Sequence, residues 1–121
     1  AEKQGIQWLI ADSAVELYQC KLMVLHAAYQ IEQKMDFTAV VSMAKHFVAN
    51  SLWRIIDRAI QVHGALGYST DTPLAHMLQQ ARWARFADGA DEIHQMRIAQ
   101  RTIAAFNDSG TTKAATGNLP L

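Results

Sequence analysis

An all-α fold, an up-down helical bundle of four main helices, is what the sequence predicts, and three observations predict it. Apolar and small side chains recur at steps of three and four along four separate segments. No stretch shows the strict alternation of a half-buried strand. Gly64, Gly67, Pro73 and Gly89 fall where those segments end or begin.

The first segment starts at residue 6, with Ile6, Ile10, Ala14, Leu17, Cys20, Val24, Ala27 and Ile31 on one face. Asp36 is a plausible N-cap for the second. Its stripe runs Phe37, Val41, Ala44, Val48, Leu52, Ile55, Ala59 and Val62, with Lys45, Arg54 and Asp57 on the face expected to meet solvent. HGALGYSTDTP follows, and Thr72-Pro73 is a helix start, a hydroxyl cap followed by proline at the first helical position. The third helix, residues 73–86, is expected to bury Leu74, Met77, Leu78 and Ala81. A fourth begins after Gly89 with Asp91 and Glu92 in its first turn, where carboxylates suit the positive end of the dipole. It continues through Ile93, Met96, Ile103 and Phe106. The expected organisation is one bundle domain over residues 1–107 and a polar, aperiodic, mobile tail over 108–121.

Eleven basic side chains balance eleven acidic ones, so no electrostatic case exists for nucleic acid or an anionic membrane. No apolar run approaches the roughly 20 residues of a membrane span. The single cysteine, Cys20, excludes an internal disulfide and any multi-cysteine metal site. It sits on an apolar stripe with no histidine close in sequence, as a buried inert thiol would. A soluble intracellular protein, cytoplasmic if bacterial, is the expectation.

Five histidines invite a metal reading, but only Asp91 and His94 form a helical carboxylate–histidine pair, and a di-metal bundle needs two such pairs. No metal site is expected. WARFADGADEIH, residues 83–94, is the richer stretch. Asp88, ahead of a glycine between two helices, reads in two ways from residue type. It can cap the following helix through its carboxylate. It can also be a general base beside the apolar Phe86 and Ala87, although residue type favours the cap. Spacing does not decide between them.

The run AKHFVANSLWRIIDRAIQVHGALGYSTDTPLAHMLQQARWARFADGADEIHQMRIAQ resembles the C-terminal helical domain of the acyl-CoA dehydrogenases. That family shows an Ala-Lys helix, a Q-x-x-G-G-x-G-Y turn, a helix opened by proline, and an acid-Gly-x-x-[EQ]-I signature. Here the turn reads Gln61-Val62-His63-Gly64-Ala65-Leu66-Gly67-Tyr68, and the signature reads Asp88-Gly89-Ala90-Asp91-Glu92-Ile93. The four elements occur in order over residues 44–99.

The resemblance implies a flavoprotein that oxidises an acyl-CoA to its 2,3-enoyl form, with a carboxylate removing the α-proton and FAD taking the β-hydride. It puts Asp88 in the place of the base and Gly89 beside the acyl chain. Gln61, Val62, His63, Gly64 and Ala65 match the turn that reaches the adenosine-diphosphate half of FAD, typically that of a neighbouring subunit. Ala90, Asp91 and Glu92 match the segment that lies along the cofactor. A homodimer or homotetramer, and an acceptor of the electron-transfer flavoprotein type, come with the family.

This chain departs from the common pattern in several places. Aspartate replaces the usual glutamate, about 1.5 Å shorter in reach, as in a sub-branch whose signature resembles D-G-x-D-E-[IV]-H. Ala90 stands for a hydroxyl residue, Ala65 for the second glycine of the turn, and Gln100 for an arginine. The family's N-terminal helical and middle β-domains, which supply the flavin-ring contacts, have no counterpart in these residues. The chain corresponds to about the last third of an enzyme and is expected to be inactive alone. The alternative expectation is a non-catalytic helical-bundle partner or oligomerisation module that has kept the fold.

Overall fold

The computed structural model describes residues 2–116. Six helices follow one another: α1 (Gln4–Glu32), α2 (Thr38–His63), α3 (Ala65–Tyr68), α4 (Leu74–Trp83), α5 (Asp91–Ser109) and α6 (Lys113–Thr116). Among the described residues there is no strand. α1, α2, α4 and α5 are the four main helices of the bundle, and α2 is its hub. α1, α4 and α5 each pack on α2, and the short α3 and α6 pack on it as well.

Local chemistry sets the helix ends. α1 closes with Lys34 in the left-handed region (φ 55°), and Met35 N–H reaches back to the Gln30 carbonyl at 3.0 Å. Asp36 does a cap's work one place early: its Oδ1 accepts from Thr38 N–H at 3.0 Å, although Phe37 occupies the N-cap position. Thr72 does not cap α4. Its hydroxyl donates instead to the Leu66 carbonyl at 3.4 Å, and Pro73 (φ −74°) is the N-cap, one residue ahead of the helix. Gly67 fits where little else would. A Cβ there would come within 2.9 Å of Ile60 Cα, the Ile60 carbonyl oxygen and His63 Cβ.

The inward faces differ from the apolar stripes expected from sequence. On α1, the residues turned from solvent are Ile6, Leu9, Ser13, Glu16, Cys20, Met23, His26, Ala27 and Gln30, whereas Ile10, Leu17, Val24 and Ile31 are about half exposed. The expected stripe lies beside the true seam, because the seam includes Ser13, Glu16 and Gln30. Glu16 accounts for this: it accepts from Arg54 Nε and Arg58 Nη1, both at 2.7 Å. Those hydrogen bonds, Arg58's first, outweigh burial and hold its carboxyl below the usual value.

α5 behaves in the same way. Asp91, His94 and Ala105 are buried, while Ile93, Met96, Ile103 and Phe106 face out. In α4, Ala81 is fully buried and Leu74 and Leu78 are half-buried, but Met77 is exposed. Nor is the expected solvent face of α2 free, since Arg54 pairs with Glu16 and Lys45 with the α4–α5 junction.

Ordered helix also runs beyond residue 107. α5 continues to Ser109, α6 follows, and Ala115 is buried. Residues 117–121 of the expected tail lie outside the described residues.

Candidate functional site

The α4–α5 junction, residues 84–90, carries the candidate base. Two successive residues take positive φ, Asp88 at 55° and Gly89 at 106°. Aspartate tolerates the left-handed region better than most side chains, and glycine enters it without penalty. Gly89 is required for space as well, because a Cβ there would sit 3.0 Å from His94 Nε2.

Asp91 is the junction's internal anchor. Its carboxylate is buried and accepts from Arg85 Nε at 2.8 Å and from Asn50 Nδ2 at 3.1 Å, both on Oδ2. Oδ1 lies 3.4 Å from His46 Nδ1, a close polar approach that falls short of hydrogen-bond geometry. Burial pushes the Asp91 carboxyl up. The hydrogen bonds from Arg85 and Asn50 and the guanidinium charge outweigh it and hold the group below the usual carboxylate value. The Asp91 N–H also donates to the Arg85 carbonyl at 3.0 Å. From α2, Lys45 Nζ donates to the Gly89 carbonyl at 2.7 Å.

Asp88 is exposed, and its carboxylate makes no hydrogen bond or ion pair among the described residues. This corrects the capping alternative. The N-cap of α5 is Ala90, with no side-chain cap bond. Asp88 instead borders an apolar groove of about 260 Å³ lined by Lys45, Val48, Ala49, Leu52, Trp83, Ala84 and Ala87. A carboxylate on such a rim can take a proton from a group lying in the groove.

Other residues singled out from sequence fall at two places. Gln61, Val62, His63, Gly64 and Ala65 are all exposed at the end of α2. Gly64 (φ 59°) has nothing within 4 Å of where its Cβ would be, so the backbone there is open to close approach. Ala90 and Glu92 border the junction, half-buried and exposed, whereas Asp91 keeps its carboxylate within the domain.

Sequence reasoning overlooked Lys45, His46, Asn50 and Arg85 as parts of this site. His46 has no acidic residue at helical spacing, and its neighbour Asp91 is on another helix. One signal was available: Arg85 and Asp91 are opposite charges flanking a glycine turn. Among the described residues no three His, Cys, Asp or Glu side chains gather to hold a metal ion. No helix of the described residues is long and apolar enough to cross a membrane.

The family model described as the C-terminal domain of acyl-CoA dehydrogenase matches residues 1–103. Acyl-CoA dehydrogenase family member 10 of Mus musculus is 45% identical over 96 residues, 78% of this chain and 9% of that protein. The (R)-benzylsuccinyl-CoA dehydrogenase of Thauera aromatica is 36% identical over 104 residues, 85% of this chain and 26% of that protein. A solved structure described as "a putative acyl-CoA dehydrogenase from Mycobacterium abscessus" superposes with a TM-score of 0.83 at 37% identity, over 87% of this chain and 26% of that one. The matched residues make up about a quarter of the Thauera protein and of the solved structure, and 9% of the mouse protein.

Proposed function

Because the chain belongs to the acyl-CoA dehydrogenase family, as its C-terminal domain, we propose that it supplies the general base for FAD-dependent oxidation of an acyl-CoA to the 2,3-enoyl-CoA, and that Asp88 is that base. One observation carries the reading. Asp88 is exposed on the rim of an apolar groove with no partner for its carboxylate among the described residues, while the neighbouring Asp91 is buried and bonded to Arg85 and Asn50. An acid held in an unusual backbone conformation and left unpaired is available for a proton.

The acyl chain follows the groove walled by Val48, Leu52 and Trp83, with its α-carbon beside Asp88 and the Gly89 backbone. Asp88 takes the α-proton as the C–H bond breaks, and that electron pair forms the new α,β-double bond. FAD, when bound, supplies the acceptor for the β-hydride and its two electrons. Gln61 and the main chain of Val62, His63, Gly64 and Ala65 hold the adenosine-diphosphate half of FAD from a neighbouring subunit, with Ala90 and Glu92 alongside the cofactor. Asp91 contributes indirectly, by fixing the turn. The exposed apolar residues of α1, among them Trp8, Leu17 and Leu25, suit contact between subunits of a homodimer or homotetramer. A flavoprotein of the electron-transfer type would reoxidise the cofactor.

The test uses the complete FAD-bound polypeptide that carries this domain, mixed anaerobically with butyryl-, octanoyl- or palmitoyl-CoA while flavin absorbance is followed. The parent protein bleaches with at least one of them. Asp88→Asn keeps its FAD and bleaches at least about a hundredfold more slowly, the span general bases contribute. An undiminished rate in Asp88→Asn would remove Asp88 from the role and favour a non-catalytic partner or oligomerisation module.

A further inference from the structure

The Asp88 side chain has nothing of its own to hold it. Among the described residues its carboxylate has no hydrogen bond or ion pair, so its placement depends wholly on the backbone of residues 86–90. That backbone carries two consecutive positive φ angles, which an unsupported peptide would not keep. Arg85 and Asp91 close the base of the turn. Near its apex the His94 ring packs against Gly89, and among the described residues one side chain hydrogen-bonds there: Lys45 Nζ, coming from α2, donates to the Gly89 carbonyl at 2.7 Å. Lys45 also lines the groove that Asp88 borders, together with Val48, Ala49 and Leu52 further along the same helix. The helix that walls the groove therefore also grips the peptide next to the carboxylate.

We propose that Lys45 is a positioning residue for Asp88, fixing the Asp88–Gly89 peptide by its bond to the Gly89 carbonyl so that the carboxylate is registered against the α2 wall of the groove. This rests on the reading of Asp88 as the base. The Lys45 ammonium is a charged donor, and such bonds are shorter and stronger than neutral ones. Without it, the carbonyl is free to turn, and the peptide plane that joins it to Asp88 turns too. An error of about 1 Å in a reacting group costs up to about a hundredfold in rate. Lys45 itself exchanges no proton with substrate in this account.

The experiment compares the parent protein, Asp88→Asn, Lys45→Met and Lys45→Arg as complete FAD-bound polypeptides with the same three acyl-CoAs. Lys45→Met keeps the length and loses the donor. It is expected to reduce flavin about tenfold to a hundredfold more slowly at saturating thioester, with acyl-CoA affinity within about threefold of the parent. Hydrogen–deuterium exchange, which needs no turnover, should quicken across residues 86–91 and not in α1. Lys45→Arg, which keeps a cationic donor, should recover part of the rate and most of the protection. If Lys45→Met does not fold, Lys45→Gln carries the same test, its amide falling about 1.5 Å short of the carbonyl.

Parent-like flavin reduction in Lys45→Met overturns the proposal, as does slow reduction with unchanged exchange at 86–91. A fall in melting temperature alone, with the rate preserved, reduces Lys45 to a stabilising contact and equally overturns it. Full activity in Asp88→Asn, or a parent protein that binds FAD and bleaches with no thioester, instead sinks the reading of the base and takes this role with it.

Discussion

Arg85 and Asp91 are joined twice, by an Nε–Oδ2 bond of 2.8 Å and by the Asp91 N–H to the Arg85 carbonyl at 3.0 Å. The pair pinches the intervening residues into a closed turn with Asp88 near its apex, and Asn50 ties the same carboxylate to α2. Helix hub, turn and α5 are thus locked by one buried side chain. The clasp does for the turn what no single apolar contact could, since residues 86–90 bury little surface of their own.

Breaking the clasp from the arginine side should therefore be costly. Arg85→Met leaves the buried Asp91 carboxylate with Asn50 and with His46 3.4 Å away, and a loss of about 1–3 kcal/mol is expected. The pH dependence has a definite sign. The Asp91 pKa is depressed in the fold, so its stabilisation is complete above the ordinary carboxylate pKa of about 4 and is lost as pH falls through the lower folded value. Melting curves of parent and variant should differ most near neutrality and converge below about pH 4. A constant gap across that range would mean that Arg85 acts through packing rather than through the Asp91 charge.

Asp88 allows conformation and chemistry to be separated. At φ 55° asparagine is as well tolerated as aspartate, so Asp88→Asn should alter stability by no more than about 0.5 kcal/mol. Asp88→Val places a β-branched residue in the left-handed region and should cost about 1–2 kcal/mol. Denaturant titration of the two reads this directly. If valine were as stable as asparagine, the turn would not hold residue 88 left-handed, and the case for a preset carboxylate would fail.

The two glycines of the Gln61–Tyr68 turn should respond differently to alanine, although the family-like pattern treats them alike. Gly67→Ala drives a methyl to 2.9 Å from Ile60 backbone atoms, which cannot move without unwinding the end of α2, and about 2 kcal/mol or more should be lost. Gly64→Ala meets no atom within 4 Å and pays only for its φ of 59°, about 1 kcal/mol. If the turn holds FAD as proposed, Gly64→Ala in the complete polypeptide should weaken FAD binding more than stability, and Gly67→Ala the reverse. Thermal melts with and without added FAD separate the two.

Sequence alone made the helices legible because periodicity is a local property, and it made the Asp88 turn legible because acid and glycine sit at a break in that periodicity. It misplaced the inner faces for one reason, repeated in α1 and α5. Glu16, Gln30, Asp91 and His94 point inward while Ile10, Leu17, Ile103 and Phe106 do not. A hydrophobic stripe marks the side expected to leave water, whereas these seams are built on inward-facing polar and charged side chains, and the partners of Glu16 and Asp91 lie on other elements. Lys45 and Arg54, expected on a solvated face, are engaged with other elements. Their partners, the Gly89 carbonyl and Glu16, lie 44 and 38 residues away, beyond any helical period.

Glu16 offers the sharpest check on that account of α1. If the seam against α2 is organised by its two arginines, then Glu16→Gln should destabilise the domain although it changes no apolar surface. Arg58 is mostly covered, but Arg54 is more than a third exposed, so solvent screens part of the interaction. A loss of about 1–2 kcal/mol is expected. Since the Glu16 pKa is depressed in the fold, the loss should be full above about pH 4 and fade below it. Added salt should narrow the gap between parent and variant through the Arg54 arm. Ile10→Gln and Leu17→Gln, on the stripe that sequence alone places inside, should each cost under about 0.5 kcal/mol in the isolated domain. Large losses at those two positions, with Glu16→Gln neutral, would return the seam to where the apolar stripe put it.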